Sequence, residues 1–301
     1  MKILVIIVTY NAMQWADRCF DSLKRSTVKL DVLVVDNGST DGTQLFIKEH
    51  YPRVMFQQSE DNIGFGRANN IGLQYALDEG YDFVYLLNQD AWIETDTIEK
   101  LIQISVANPE YGILSPFQMS ADGYHIDPNF LSRLCKWECH TELINDLYNN
   151  SCKDVYEAEG VMAAHWFITR QCLEIVGGFS TTFPHYGEDD NYSERVRYKG
   201  FKIGVVPNLR VVHDRMLRVD DNKKKMYKVY ISILLLLSRP QRKSKNSIFY
   251  IVRKTFSTVR RYKSAVPLSY LWKVLIRINS IKENRRFSMV KECAFLKISN
   301  K

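Results

Sequence analysis

Residues 1–90 repeat one pattern, a short apolar run followed by a helical stretch and then another apolar run. Lys2–Thr9 is a continuous Ile/Val-rich run, as in a strand covered on both faces. Trp15, Cys19, Phe20 and Leu23 then recur at helical spacing between Ala12 and Ser26. Leu30–Val35, Val54–Gln57 and Phe83–Leu87 read as further strands. Thr43–Glu49 and Gly66–Glu79 read as helices between them, the first capped by Ser39, Thr40 or Asp41. This alternation predicts an α/β fold: a Rossmann-like, mostly parallel central sheet with helices on both faces. In such a sheet, ligands sit beyond the carboxyl ends of the strands. Three of those ends carry polar clusters, Thr9-Tyr10-Asn11, Asp36-Asn37-Gly38-Ser39 and Asn88-Gln89-Asp90, so all three are expected to face one crevice.

Beyond residue 90 the pattern is less regular. Residues 118–158 are rich in Asn, Asp, Cys and Tyr without a clean period and read as a loop-rich insertion. Glu159–Thr169 is expected to return to the sheet, Gly187–Gly200 to form a helix and Phe201–Val206 a last strand.

Several residues in this frame are candidates for chemistry. Asp36, ending the second strand, suits either a ribose or base contact or an Asx-turn. In Asp61–Asn70, Gly64 and Gly66 allow close backbone approach, the following helix start offers free N–H groups, and Arg67 suits phosphate. Asn69 spoils a G-x-G-x-x-G match, which disfavours a dinucleotide. Asp90 at a strand end is placed for Mg²⁺ or Mn²⁺, which take one or two carboxylates plus substrate phosphates; a plain turn is the alternative. His213, after the last strand, is a metal ligand or an ordinary histidine. Gly187-Glu188-Asp189-Asp190 opens a helix, where acids favour the helix dipole but can also serve as a base toward a hydroxyl.

The ordered set resembles a known family. It comprises Ile6–Asn11, Val34–Thr43, Asn62–Asn70, Leu86–Asp90, Val176-Gly177-Gly178-Phe179 and Tyr186–Asp189, with Arg195 and Gly200 at matching spacing. It is similar to the inverting family 2 glycosyltransferases of GT-A fold, above all bacterial rhamnosyltransferase-like members, over residues 1–213. The resemblance implies a dTDP- or UDP-linked sugar donor and a glycan or lipid-linked acceptor in surface polysaccharide synthesis. It implies that Thr9, Tyr10, Asn11 and Asp36 hold the nucleoside, with Asn62, Gly64 and Arg67 near the nucleotide and diphosphate. Asp90 corresponds to the metal-binding Asp of the DXD motif and His213 to its distant partner. Asn88 and Gln89 fill the rest of that motif on the donor side, so its first carboxylate is an amide. Asp189 corresponds to the general base, Glu188 assists or orients it, and Trp166 lines the acceptor side. Asn191 stands where many relatives carry a second Asp. The irregular 118–158 segment is expected to select the acceptor. The rival readings are a catalytically inactive nucleotide-sugar-binding scaffold and a sugar-phosphate nucleotidyltransferase. The latter calls for a Gly-rich basic loop after the first strand, where this chain has Thr-Tyr-Asn-Ala-Met.

Charge divides the chain at about residue 214. Residues 1–214 hold 18 Lys/Arg against 30 Asp/Glu, net −12, whereas residues 215–301 hold 23 against 4, net +19. We therefore expect a catalytic domain over 1–214 and a basic amphipathic helical region over 215–301, broken at Arg239-Pro240 and Ala265-Val266-Pro267. Such helices suit an anionic membrane surface; solvated or homo-oligomer-forming helices are the second use. Nucleic acid is disfavoured because the acidic body repels a polyanion. The apolar run Ile231–Leu237 is far shorter than the ~20 residues of a membrane span. With no signal-peptide pattern, the chain is expected in the cytoplasm, resting on the inner face of the membrane. The six cysteines form no CxxC pair and read as free thiols; Cys135, Cys139 and Cys152 with His140 are the one alternative, a zinc site.

Overall fold

Leu4, Val5, Ile6 and Ile7 are all sealed from solvent, which explains why the first apolar run does not alternate. It forms β1 (Ile3–Thr9), a mid-sheet strand covered on both faces. The computed structural model describes residues 1–134, 141–215, 221–241 and 247–297. Leu4 and Ile6 enter one core and Ile3, Val5 and Ile7 the other, the period-2 division of a pleated strand.

The order of elements is β1, α1 (Met13–Lys24), β2 (Asp31–Asp36), α2 (Thr43–His50), β3 (Met55–Gln58), α3 (Phe65–Asp78), β4 (Phe83–Asn88), β5 (Ala91–Ile93), α4 (Thr97–Ala107) and β6 (Tyr111–Met119). Then follow α5 (Pro128–Leu134), α6 (Thr141–Tyr148), β7 (Tyr156–Ala158), β8 (His165–Thr169), α7 (Arg170–Val176), α8 (Glu188–Tyr198) and β9 (Lys202–His213). Helices α9 (Asn222–Ser238), α10 (Ser247–Tyr262), α11 (Val266–Ile276) and α12 (Ile278–Val290) complete the chain. The sheet runs β3-β2-β1-β4-β8-β6-β9-β5, with β7 also on β9. Helices α1, α2 and α4 cover one face, and α3, α7 and α8 the other.

The expected α/β architecture is present. The parallel pairing holds from β3 to β4, but β8 then enters antiparallel and the remainder is mixed. The 118–158 segment is more ordered than its composition suggests: it holds the end of β6, then α5, α6 and β7, with Phe130, Leu134 and Leu143 buried. Gly42 is the N-cap of α2, although Asp41 Oδ1 still accepts from the Thr43 N–H at 3.1 Å. Cys19, Cys152, Cys172 and Cys293 are free thiols; Cys135, Cys139 and His140 lie outside the described residues, so the zinc alternative rests on them.

The basic region builds a core of its own. Tyr230, Ile231, Leu234 and Leu237 of α9 pack with Ile251, Val274 and Ile281, and Phe183 of the sheet unit joins them. Among the described residues, no helix is long and apolar enough to cross a membrane. The last described residues then return to the sheet unit. Gly178 N–H donates to Ala294 O and Cys293 N–H to Glu174 O, both at 2.8 Å, and Lys297 N–H reaches Gln74 Oε1 at 2.6 Å.

That strap closes over the Val176–Phe179 turn. Gly177 has φ +83°, and a Cβ built there would lie 2.0 Å from Ala294 O. The same turn is held from below by the fully buried Arg195, whose guanidinium donates to Val176 O and Gly178 O beneath the Tyr192 and Phe295 rings. Asn70 grips it from α3, accepting from Phe179 N–H at 2.6 Å and donating to Phe179 O at 2.9 Å. The glycine pair and the arginine are thus structural parts of one joint. Gly177→Ala is expected to lower the unfolding free energy by roughly 3 kcal/mol or more, from left-handed strain and overpacking together. Urea denaturation of the full chain would check this.

Candidate active site

Parallel pairing carries the strand ends to one edge. β1 pairs with β2 up to Thr9↔Asp36 and with β4 up to Val8↔Asn88, so the three polar clusters emerge side by side. Gln89 bridges two of them, its Oε1 accepting from Tyr10 N–H at 2.7 Å and its Nε2 donating to Tyr10 O at 3.2 Å. Asn11, at φ +50°, links the other pair: its Oδ1 accepts from Thr40 N–H at 2.8 Å and its N–H donates to Ser39 Oγ at 2.9 Å.

Asp36 is fully enclosed. Its carboxylate accepts from Thr9 Oγ1 (2.7 Å), Ser39 Oγ (2.5 Å), Ser39 N–H (2.9 Å) and Gln44 Nε2 (3.0 Å). It therefore organises the loop, as the turn alternative has it, and a direct ribose contact requires exchange of one of these internal bonds. Thr9 is buried with it, while Tyr10 is exposed.

Asp90 and His213 meet across β5 and β9. The antiparallel pair sets His213 opposite Ala91, and Asp214 N–H donates to Asp90 O at 2.7 Å. His213 Nε2 lies 3.4 Å from both Asp90 Oδ1 and Asn88 Nδ2. The neighbouring His165 pins the end of β9: its Nε2 sits 3.0 Å from Val212 O and its Nδ1 2.8 Å from the Tyr85 hydroxyl. Burial, helped by the nearby His213 charge, pushes the His165 pKa down to about 3, so that ring is neutral. At Asp90, burial opposes charge, but the interactions with His213, a backbone hydrogen bond and the Arg215 charge together hold the carboxyl below its usual value. His213 Nδ1 and Asn88 Oδ1 are buried without a partner.

One carboxylate oxygen and one imidazole nitrogen form a mixed donor set that fits a Mg²⁺/Mn²⁺-class ion with its other positions open to phosphate oxygens. Among the described residues, no three His, Cys, Asp or Glu side chains gather as a metal-binding group.

The loop before α3 adds the next wall. Asn62 Oδ1 accepts from Gly64 N–H at 3.0 Å, and Arg67 stands exposed in the first turn of α3. Gly64 lies so near Pro184 that a Cβ would sit 3.0 Å from its carbonyl oxygen, and one on Gly66 would sit 3.7 Å from Glu188 Cβ. The 62–67 loop and the 184–188 turn are therefore in contact.

Glu188 is only 7% exposed and its Oε2 has no partner. Burial first, then the Asp189 charge, raises its pKa to about 7. Burial and the Asp190 charge also raise the Asp189 pKa, against the opposing pull of Arg133. Arg133, on α5, pairs with Asp190 through Nη1 and lies 3.6 Å from Asp189 Oδ2 through Nη2. This arginine escaped the sequence reading; its one signal is that it is the sole Arg between residues 118 and 158. Arg215, whose charge helps hold the Asp90 pKa down, was also missed, although it follows His213 by two residues.

Trp166 corrects an expectation. It is fully buried among Phe179 and Tyr192, with ring centroids 6.0 and 5.5 Å away, so it belongs to the core and does not line an open acceptor side. β8 is covered on both faces, which alternation along the strand could not reveal.

Residues 4–154 match the family model described as Glycosyl transferase family 2. The chain belongs to that family. Among curated relatives, it is 27% identical over 231 residues to N-acetylglucosaminyl-diphospho-decaprenol L-rhamnosyltransferase of Mycobacterium tuberculosis, covering 70% of this chain and 75% of that one. It is 24% identical to dTDP-rhamnosyl transferase RfbF of Shigella flexneri, covering 89% and 82%. Among solved structures, the mannosyltransferase PcManGT of Pyrobaculum calidifontis, in complex with GDP-Man and Mn²⁺, superposes with TM-score 0.59 at 16% identity over 96% of this chain and 85% of that one. S. aureus TarS 1-349 gives 0.55 at 16% identity, over 96% and 73%. The fold is therefore that of the GT-A glycosyltransferases, and the chain is a glycosyltransferase close to rhamnosyltransferases.

Two outcomes follow for this family 2 chain. Above the unfolded Glu pKa of about 4.3, the unfolded chain loses the Glu188 proton while the folded chain keeps it to about pH 7. Its contribution therefore falls as pH rises through that window, by roughly 3 kcal/mol in total. Denaturation of wild type and Glu188→Gln at pH 4 and pH 8 should show the variant gaining relative stability by that order. In Arg133→Gln, loss of the cation that lowers the Asp189 pKa should move its titration to higher pH, read from carboxyl ¹³C shifts.

Proposed function

We propose that the protein is a metal-dependent inverting glycosyltransferase that moves a sugar from a dTDP- or UDP-linked donor to a hydroxyl of a glycan or lipid-linked acceptor. The observation that supports it most is the Asp90–His213 pair at the strand-end edge, and the contact of the buried acid turn with the loop before α3 adds to that support. Thr9, Tyr10 and Asn11 frame the nucleoside, with Asp36 setting their loop. Asn62, the Gly64 backbone and Arg67 face the diphosphate, with Asn88 and Gln89 holding the β4 end against β1.

Asp90 and His213 would hold Mg²⁺ or Mn²⁺, which when bound supplies positive charge for the departing diphosphate. Asp189 takes the proton of the acceptor hydroxyl. That oxygen forms a bond to the anomeric carbon from the face opposite the nucleotide, the bond to the diphosphate oxygen breaks, and the configuration inverts. A carboxylate with an upward-shifted pKa is the stronger base for this step. Glu188, one residue earlier, keeps the site electrically restrained while it carries its proton.

The amide at Asn88 favours a second reading, a nucleotide-sugar-binding scaffold without catalysis. Transfer or hydrolysis of a nucleotide sugar with Mn²⁺, lost on chelation, separates the two. Asp189→Asn should bind donor normally and lose at least about 100-fold in kcat, the ordinary scale for a general base; transfer at wild-type rate by the folded variant would sink the base assignment.

The catalytic unit is assigned to 1–214 and the basic helices to an accessory role over 215–301. α10 carries Arg253, Lys254, Arg260 and Arg261 beside exposed Phe249 and Phe256, and α11 exposes Trp272, Leu275 and Ile276. Basic charge with exposed apolar groups supports docking on an anionic membrane's inner face.

A further inference from the structure

Asp189 and Asp190 are neighbours in α8, yet a residue from outside that helix ties them into one unit. Arg133, near the end of α5, pairs through Nη1 with Asp190 Oδ1, and its Nη2 lies 3.6 Å from Asp189 Oδ2. Asp189 Oδ1 in turn accepts from Asp190 N–H at 2.9 Å. One oxygen of Asp189 is thus engaged by the backbone of its own turn and the other faces the guanidinium. A planar fork spanning two carboxylates restricts their rotation, which the single ammonium of a lysine does not do.

Arg133 can brace the turn because α5 is itself held. Asp127 is buried before the helix, its Oδ1 accepting from Phe130 N–H at 2.7 Å and its Oδ2 lying 3.8 Å from Arg215 Nε. Phe130 meets Phe117 edge-on at 5.2 Å, and Leu134 is buried.

Glu188 lacks this arrangement. Its Oε2 is buried without a partner, and the side-chain charges that act on it, those of Asp189 and Asp190, are both negative. Elsewhere around the turn, Tyr227 of α9 stands near Glu188, Lys224 acts on His185, and Arg239 pairs with Glu194 at 2.8 Å. Arg67 lies in the first turn of α3, beyond the contacting loop. The side-chain charges that act on Asp189 are those of Asp190 and Arg133. A base must be deprotonated to take a proton, and of two adjacent buried acids the one beside a cation loses its proton more readily.

We propose that Arg133, braced by Asp190, is a positioning residue that fixes Asp189 as the base and leaves Glu188 outside the proton transfer. The assignment rests on the glycosyltransferase reading and adds to it the residues that choose between the two acids.

The test is ¹³C titration of the Asp189 carboxyl in the full chain. Beside it, the pH dependence of kcat/KM is measured for hydrolysis of dTDP-rhamnose and UDP-glucose in Mn²⁺, with water in place of the acceptor hydroxyl. Activity should rise with pH as Asp189 loses its proton. Arg133→Gln removes a cation and should move the carboxyl titration and this rise upward by about one pH unit; Asp190→Asn removes an anion from the same ion pair and should move both downward. Arg133→Lys keeps the charge without the fork, so the rise should stay near its wild-type pH while kcat falls roughly tenfold. An ion pair that merely supported the fold would be broken alike by Arg133→Gln and Asp190→Asn. Shifts of the same sign in those two variants, or an unmoved Asp189 titration in Arg133→Gln, overturn the assignment, as does an activity rise that follows the Glu188 carboxyl instead. Binding of dTDP and UDP in Mn²⁺ should match wild type in all three variants, which shows them folded. If wild type binds neither nucleotide, the glycosyltransferase reading fails and the base assignment falls with it, whatever the carboxyl shifts.

Discussion

The antiparallel pairing of three-residue β5 with the end of β9 is the constraint on which the candidate site depends. Asp90 and His213 are 123 positions apart, and neither local structure nor a shared element holds them together. The register Ala91↔His213 does so, reinforced by Asp214 N–H on Asp90 O and by His165 on Val212 O. His165 serves as a neutral ring, because it is fully buried and a charged imidazole would be costly there. A buried, fixed histidine thus positions a second histidine, and the surrounding hydrogen bonds and charges together hold the carboxyl beside it below its usual pKa despite burial.

Most of the sheet was legible because its signals are local. Buried strands announce themselves as unbroken Ile/Val runs, and their carboxyl ends are where polar residues gather for a ligand, so Thr9–Asn11, Asn88–Asp90 and His213 could be read in order. What stayed hidden depends on tertiary context. Arg133 sits in a seven-residue helix within an irregular polar segment, and nothing local links it to Asp189, 56 positions later. The family resemblance places Trp166 on the acceptor side, and its alternation with Phe167 shows only that the two face opposite ways; here each way leads into a core. Asp36 suits either a ligand contact or a turn, and its enclosure by Ser39 and Gln44 rests on hydrogen bonds that cannot be counted from sequence.

The family motif Val176–Phe179 shows another limit of motif reading. It accompanies the candidate acids Glu188 and Asp189 in sequence, yet its glycines are required by the returning strap at Ala294 and by Asn70, and Arg195 is consumed in holding the turn's carbonyls. These residues act on α8, the helix that begins with Glu188 and Asp189, by fixing where it lies. A motif can therefore travel with a reaction without touching it.

The acid turn is the point at which the three parts of the chain become one device. The loop before α3 abuts it at Pro184 and Glu188, α5 of the irregular segment brings Arg133 to Asp189 and Asp190, and α9 of the basic region presses on Gly187. Each neighbour removes water from Glu188 and Asp189, and burial is the leading cause of both raised pKa values. It follows that the basic region contributes to the surroundings of the acid turn as well as to its own core. By packing Ile231 and Phe183 behind the turn, it helps create the low-dielectric surroundings in which a carboxylate becomes a stronger base.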